Sequence, residues 1–247
     1  MKVLGLISGG KDSIFNLHEC VKNGHEIVML AHISRPKDKG EMDSYMYQTV
    51  CSEMASAVAE CMGLPLITRE ISRTPVNKEL EYNPTNDDEV EDLFLLIEEA
   101  IKLNPEIKGV SSGAIFSTYQ KNRVENICDR LNLVSLAYLW KRDQKELLLD
   151  MINSGMEAVL VKTCAYGLDK SDLLKTIKEM QPKLFKLDVD TQINVCGEGG
   201  EFESLTLNCP LYKKRINILD YEVVIHSQDK YTEVAYVKIN KYELVSK

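Results

Sequence analysis

The sequence has no apolar run long enough to cross a bilayer, and its opening stretch MKVLGLISGG breaks at Gly9-Gly10, too soon for the core of a signal peptide. It has no CxxC pair. Its seven cysteines, at positions 20, 51, 61, 128, 164, 196 and 209, are scattered and odd in number, which fits buried reduced thiols rather than a disulfide framework or a zinc site. Basic charge is scarce: 38 acidic against 30 basic side chains leave a net charge of −8. Neutralising a phosphate backbone needs a basic surface, so nucleic acid is not an expected partner. Together these absences predict a cytoplasmic protein that engages neither membrane nor nucleic acid. What is present is an ordinary globular mixture, 247 residues with 44% hydrophobic and 28% charged side chains, enough for one large domain or two smaller ones.

The apolar pattern alternates in the first half. Strand-like runs at 3–7, 26–33, 66–71, 109–115 and 134–139 alternate with helical periodicity at 12–22, at 45–62, at 90–101 and around Val124, Ile127, Cys128 and Leu131. This rhythm predicts an α/β domain over residues 1–140, a parallel sheet covered on both faces that binds ligands at the carboxyl ends of its strands. Past residue 140 the rhythm changes. Helical patterns at 144–153 and 172–180 precede short strand-like runs at 204–207, 216–219, 223–225 and 234–239, which predicts a smaller α+β domain over 141–247. Residues 73–88, rich in proline, asparagine and acid, read as a mobile loop.

The chemistry concentrates where the first strand meets the first helix, at Ser8-Gly9-Gly10-Lys11-Asp12-Ser13. Two glycines let the backbone approach a ligand closely, and the helix start behind them presents unpaired amides to an anion. Ser8 and Ser13 add hydroxyls, and Asp12 adds a carboxylate suited to magnesium. Residues 5–12 nearly spell the P-loop G-x-x-x-x-G-K-[ST] but place Asp12 where a hydroxyl is needed, and Gly5 falls inside a strand. The loop suits a pyrophosphate without being a P-loop.

SGGKDS resembles the pyrophosphate-binding signature of the N-type ATP pyrophosphatases, which split ATP into AMP and pyrophosphate while activating an oxygen of the acceptor. Further segments narrow the resemblance: Asp43-Ser44-Tyr45-Met46-Tyr47-Gln48-Thr49; Gly113-Ala114-Ile115 with Tyr119-Gln120 and Arg123-Val124-Glu125-Asn126; Leu136-Ala137-Tyr138-Leu139-Trp140; and Cys196-Gly197-Glu198-Gly199-Gly200-Glu201-Phe202-Glu203. Together they look like the diphthine–ammonia ligase family, over nearly the whole chain to about residue 240. The resemblance implies an adenine-nucleotide α-hydrolase-like (HUP) domain followed by a smaller α+β domain. It also implies an activity: amidation, with ATP and ammonia, of the diphthine carboxylate on translation elongation factor 2. Some relatives carry further C-terminal domains; the expectation here is the core alone. No length is left for a glutaminase domain, so free ammonium is the expected nitrogen donor.

On this resemblance Ser8, Gly9, Gly10, Lys11, Asp12 and Ser13 hold the leaving pyrophosphate, with Asp12 contributing to a magnesium site and Lys11 assisting. By fold analogy Ala31, His32 and Ile33, at the end of the second strand, border the adenine, and Gly113 is a further ATP-binding residue; His32 serves as a wall or, alternatively, as a base. Glu198 and Glu201 attract the cationic substrate, or hold ammonium and take its proton. Tyr45, Tyr47, Tyr119 and Trp140 are candidates for a cation–π cage around the trimethylammonium group, against the reading that they are ordinary core aromatics. Arg123 is assigned to a phosphate or carboxylate, one helical turn from Tyr119. Gln48, Gln120, Gly199, Gly200 and Glu203 complete the expected substrate contacts. Two other readings compete: the same nucleotide chemistry directed at a tRNA base, and a non-catalytic nucleotide sensor.

Overall fold

The computed structural model describes residues 1–34, 50–230 and 232–247. Five strands, β1 (Lys2–Leu6), β2 (Glu26–Ser34), β3 (Leu66–Glu70), β4 (Ile107–Ser111) and β5 (Val134–Leu136), form one parallel sheet in the order β3-β2-β1-β4-β5. Successive residues of a strand face opposite ways, and β1 shows the consequence. Val3 packs into a core with the helices α1 (Lys11–Lys22) and α2 (Ala55–Met62), whereas Leu4 packs with α3 (Glu89–Leu103) and α4 (Thr118–Arg130). Gly5 lies within β1, as expected; a Cβ there would come within 2.7 Å of Leu17 and 2.9 Å of Leu30. The chain runs outward from β1 through β2 to β3 and returns to the other side of β1 for β4. That reversal opens a crevice at the carboxyl ends of β1 and β4.

The second sheet is antiparallel, in the order β7-β6-β9-β8, from β6 (Glu157–Thr163), β7 (Phe202–Asn208), β8 (Lys214–Gln228) and β9 (Glu233–Ser246). Helices α5 (Gln144–Asn153) and α6 (Ile177–Thr191) pack with it. One core runs through both sheets: Val3, Phe15 and Val58 of the first belong to the same buried cluster as Leu205, Ile216 and Val237 of the second.

The α/β and α+β halves agree with the sequence pattern, while several elements differ in extent. Ala158, Val159, Leu160 and Val161 of β6 are all buried, so the strand lacks the alternation that would betray it. The helix read at 172–180 begins later, where Thr176 and Glu179 form a capping box, and continues past Pro182 to Thr191. The short runs at 216–219 and 223–225 are parts of one strand, β8, bent by register shifts around Asp220. Residues 73–88 are tied down rather than loose. Asp92 accepts hydrogen bonds from the amides of Ser72 (2.8 Å) and Arg73 (3.1 Å), and Asp88 accepts those of Val76 (2.9 Å) and Asn77 (2.7 Å).

Buried Asn16 joins α1 to two strand ends. It donates to Leu136 O (2.7 Å) and Ser111 Oγ (2.6 Å) and accepts from the Tyr138 amide (2.8 Å). Asn16→Ala removes all three bonds and takes the acceptor from the Tyr138 amide, and is expected to lower the free energy of unfolding in urea by about 2–4 kcal/mol. An unchanged midpoint would contradict this role.

Candidate functional site

Gly10 is the N-cap of α1 and makes no side-chain cap, so no cap side chain covers the first amides of the helix. Before it, Gly9 turns the chain with φ +87°, a left-handed conformation that glycine takes without strain. The two serines stitch the loop. Ser13 Oγ donates to Gly10 O (3.0 Å), and Ser8 Oγ accepts from the Gly10 amide (3.3 Å). Lys11 is almost wholly buried. Its ammonium donates to Asp12 Oδ2 (2.9 Å) and to the carbonyl of Cys196, and lies 5.0 Å from the centre of the Phe202 ring. Burial disfavours that charge, but Asp12 first, with Cys196 and Glu198, together outweigh it and hold the Lys11 pKa above its ordinary value. Asp12 Oδ1 is buried with no partner among the described residues.

The second sheet closes the other side of this loop. The Thr206 amide donates to Gly9 O (2.9 Å), and Ser204 Oγ accepts the Lys11 amide (3.1 Å). From the turn before β7, Glu198 reaches the start of α4, where its carboxylate accepts the amides of Ile115 (2.7 Å), Phe116 (2.5 Å) and Ser117 (3.0 Å). Burial raises the Glu198 pKa, and these amides oppose the rise without cancelling it. Between the sheets lies a cleft of about 450 Å³. One half is apolar, with Leu6, Ala31, Ile33, Leu93 and Val124; the other is polar, with Ser8, Asp12, Ser13, Glu198 and Gly199.

Of the residues expected at the site, Ser8, Lys11, Asp12, Ser13, Ala31, His32, Gly113, Gln120, Glu198, Gly199, Gly200 and Glu203 line this one cleft. His32 donates from Nδ1 to Ile7 O (2.8 Å) when that nitrogen carries the proton, and burial lowers its pKa, so the imidazole is neutral at pH 7. Gly9, Gly10, Tyr119, Arg123, Trp140 and Glu201 are not among the lining residues. Arg123 is fully buried: its guanidinium stacks on Tyr119 and donates to the carbonyls of Asn77 (2.6 Å), Glu79 (3.1 Å) and Tyr119 (3.2 Å). The structure therefore spends Arg123 on the 73–88 loop, not on a phosphate or carboxylate in the cleft. The centre of the Trp140 ring lies 5.2 Å from the Lys121 ammonium and 5.8 Å from that of Lys141. Glu201 accepts the Asn194 amide (3.1 Å), leaving its buried Oε2 without a partner among the described residues. Tyr45, Tyr47 and Gln48 lie outside the described residues. Sequence reasoning missed Leu93, Ser112, Phe202 and Ser204, which reach the cleft only through tertiary packing.

A parallel sheet that reverses at β1, with an amide-rich loop and helix start at the reversal, defines an α/β protein of the N-type ATP pyrophosphatase class. The family is more specific. A model described as the diphthamide synthase N-terminal domain matches residues 1–135, and one described as the diphthamide synthase C-terminal domain matches residues 143–245. The chain is 51% identical over 97% of its length to a protein of Schizosaccharomyces pombe called diphthine–ammonia ligase, and spans 39% of that protein. Relatives of the same name in Danio rerio and Homo sapiens are 50% and 46% identical, over 98% and 100% of this chain and 95% and 94% of their own. This chain belongs to the diphthamide synthase family.

Gly113 offers a direct check on the geometry. A Cβ there would come within 2.6 Å of the Ser13 amide nitrogen and 2.7 Å of the Asp12 carbonyl carbon, both backbone atoms. Gly113→Ala is expected to push the helix start aside and weaken nucleotide binding about tenfold or more, measured by titration calorimetry. Wild-type affinity in this variant would show that the spacing does not matter.

Proposed function

We propose that this chain is an ATP-dependent diphthine–ammonia ligase. It converts the carboxylate of diphthine on elongation factor 2 into the amide of diphthamide, in the cytoplasm. The observation that carries the reading is the two-part cleft, in which an apolar slot suited to a flat base adjoins a loop and helix start suited to phosphates. The names of the relatives supply the acceptor and the nitrogen donor.

In the first step an oxygen of the diphthine carboxylate attacks the α-phosphorus of ATP and pyrophosphate leaves. The Ser8–Ser13 loop receives the pyrophosphate through its amides and hydroxyls, where fixed dipoles stabilise developing charge without reorganising. Lys11, already bonded to Cys196 and Asp12, holds the loop in shape and adds positive charge beneath it. The orphaned Oδ1 of Asp12 fits a magnesium ion, which in nucleotide sites takes one or two carboxylates and completes its shell with phosphates and water. Bound there, the ion would neutralise phosphate charge.

In the second step ammonia attacks the acyl carbon, AMP leaves, and one proton passes to a base. Glu198 and Glu201 are the carboxylates assigned to attract ammonium and the trimethylammonium group. Because Glu198 already accepts three amides, its part is to place negative charge on the cleft wall and fix that wall to α4. Glu201 does not line the cleft, and its partnerless Oε2 is proposed to add negative charge behind the lining residue Gly199.

Incubation with ATP, magnesium, ammonium and diphthine-bearing elongation factor 2 is expected to yield AMP, pyrophosphate and, only with ammonium, the amide. AMP without amidation would point to another acceptor; bound ATP without either product would leave a nucleotide sensor. Glu198→Gln and Glu201→Gln are each expected to slow amidation about 10- to 100-fold. Full activity in both variants would sink the assignment of these carboxylates.

A further inference from the structure

Ser112 follows β4 directly, and its amide donates to Leu136 O (3.2 Å), so the strand's alternation extends to it. Val110 packs into the core of α3 and α4, while the Ser111 hydroxyl accepts from Asn16 of α1 on the opposite face. Ser112 therefore shares the face of Val110. On that face the sheet's wall of the apolar half of the cleft consists of Leu6, Ala31, Ile33 and Ser112, and only Ser112 among these carries a polar side chain. It is 8% exposed, and its Oγ has no hydrogen-bond partner among the described residues. A buried hydroxyl left unpaired is costly, and native structures rarely leave one without use.

Its position along the cleft indicates what it meets. The next residue, Gly113, lies against the backbone of Asp12 and Ser13 at the start of α1. Ser112 thus stands between the apolar slot and the phosphate loop. In a nucleoside triphosphate the ribose is the part between the base and the phosphates. We infer that Ser112 is a specificity-determining residue whose hydroxyl bonds a ribose hydroxyl of the bound nucleotide, so that the enzyme distinguishes a ribonucleotide from its deoxy counterpart. This rests on the reading that the cleft takes ATP.

The test is a cycle of Ser112→Ala against ATP, 2′-deoxy-ATP and 3′-deoxy-ATP, with affinity measured by titration calorimetry and pyrophosphate release measured alongside. The wild type is expected to bind ATP about tenfold more tightly than one of the two analogues. In Ser112→Ala that difference falls to about twofold or less, because the variant loses affinity for ATP and none for the analogue. The thermal midpoint of the variant stays in place or rises, since no intramolecular side-chain bond is lost; a purely structural serine would lower it. An equal ATP-to-deoxy-ATP ratio in both proteins overturns this inference alone. No binding of ATP or of either analogue to the wild type overturns the ATP reading, and this inference with it.

Discussion

The Thr206 amide is bonded to the Gly9 carbonyl, and the Lys11 amide to the Ser204 hydroxyl, so the first edge of the second sheet is fastened to the phosphate loop of the first. The rest of the site depends on this junction. A glycine-rich turn and a helix start offer an anion binding surface on any parallel sheet. Here β7 covers one side of that surface, and the turn that carries Glu198 and Gly199 is brought over it. Loop and second sheet form one object, because a single buried cluster that includes Ile7, Ile14, Phe202 and Leu205 joins them.

Two buried charges make the junction specific. Taking the Lys11 ammonium out of water is unfavourable unless its bonds are fully met, and it meets them with a carboxylate, a carbonyl and the face of Phe202. Glu198 does the same in reverse, placing a carboxylate on the amides at the start of α4, where the helix dipole favours negative charge. One contact fastens the second sheet's turn to the first helix and the other to the fourth. Between them the turn is held open as a wall.

The fold class was legible because both halves carry clear periodicity, and the phosphate loop because its glycines, serines and Lys-Asp pair are contiguous. What stayed hidden depends on long-range packing. Nothing near Glu198 announces that its carboxylate will meet the amides of residues 115–117. Arg123 one turn from Tyr119 suggested a ligand contact, but its guanidinium bonds the carbonyls of a loop that Asp88 and Asp92 help to hold in reach. Strand β6 escaped because a strand covered on both faces has no alternation to read. Ser112 fell within the strand-like run at 109–115 and was not singled out, because its value lies in which face of β4 it continues.

Hydrogen exchange, with and without a non-hydrolysable ATP analogue and magnesium, tests the joint construction of the site most directly. If phosphate loop and second sheet act as one, the analogue protects the amides of residues 8–13 and, in the same titration, those of residues 197–206. Protection confined to the first sheet and its loop, with 197–206 exchanging at the unliganded rate, would contradict that account.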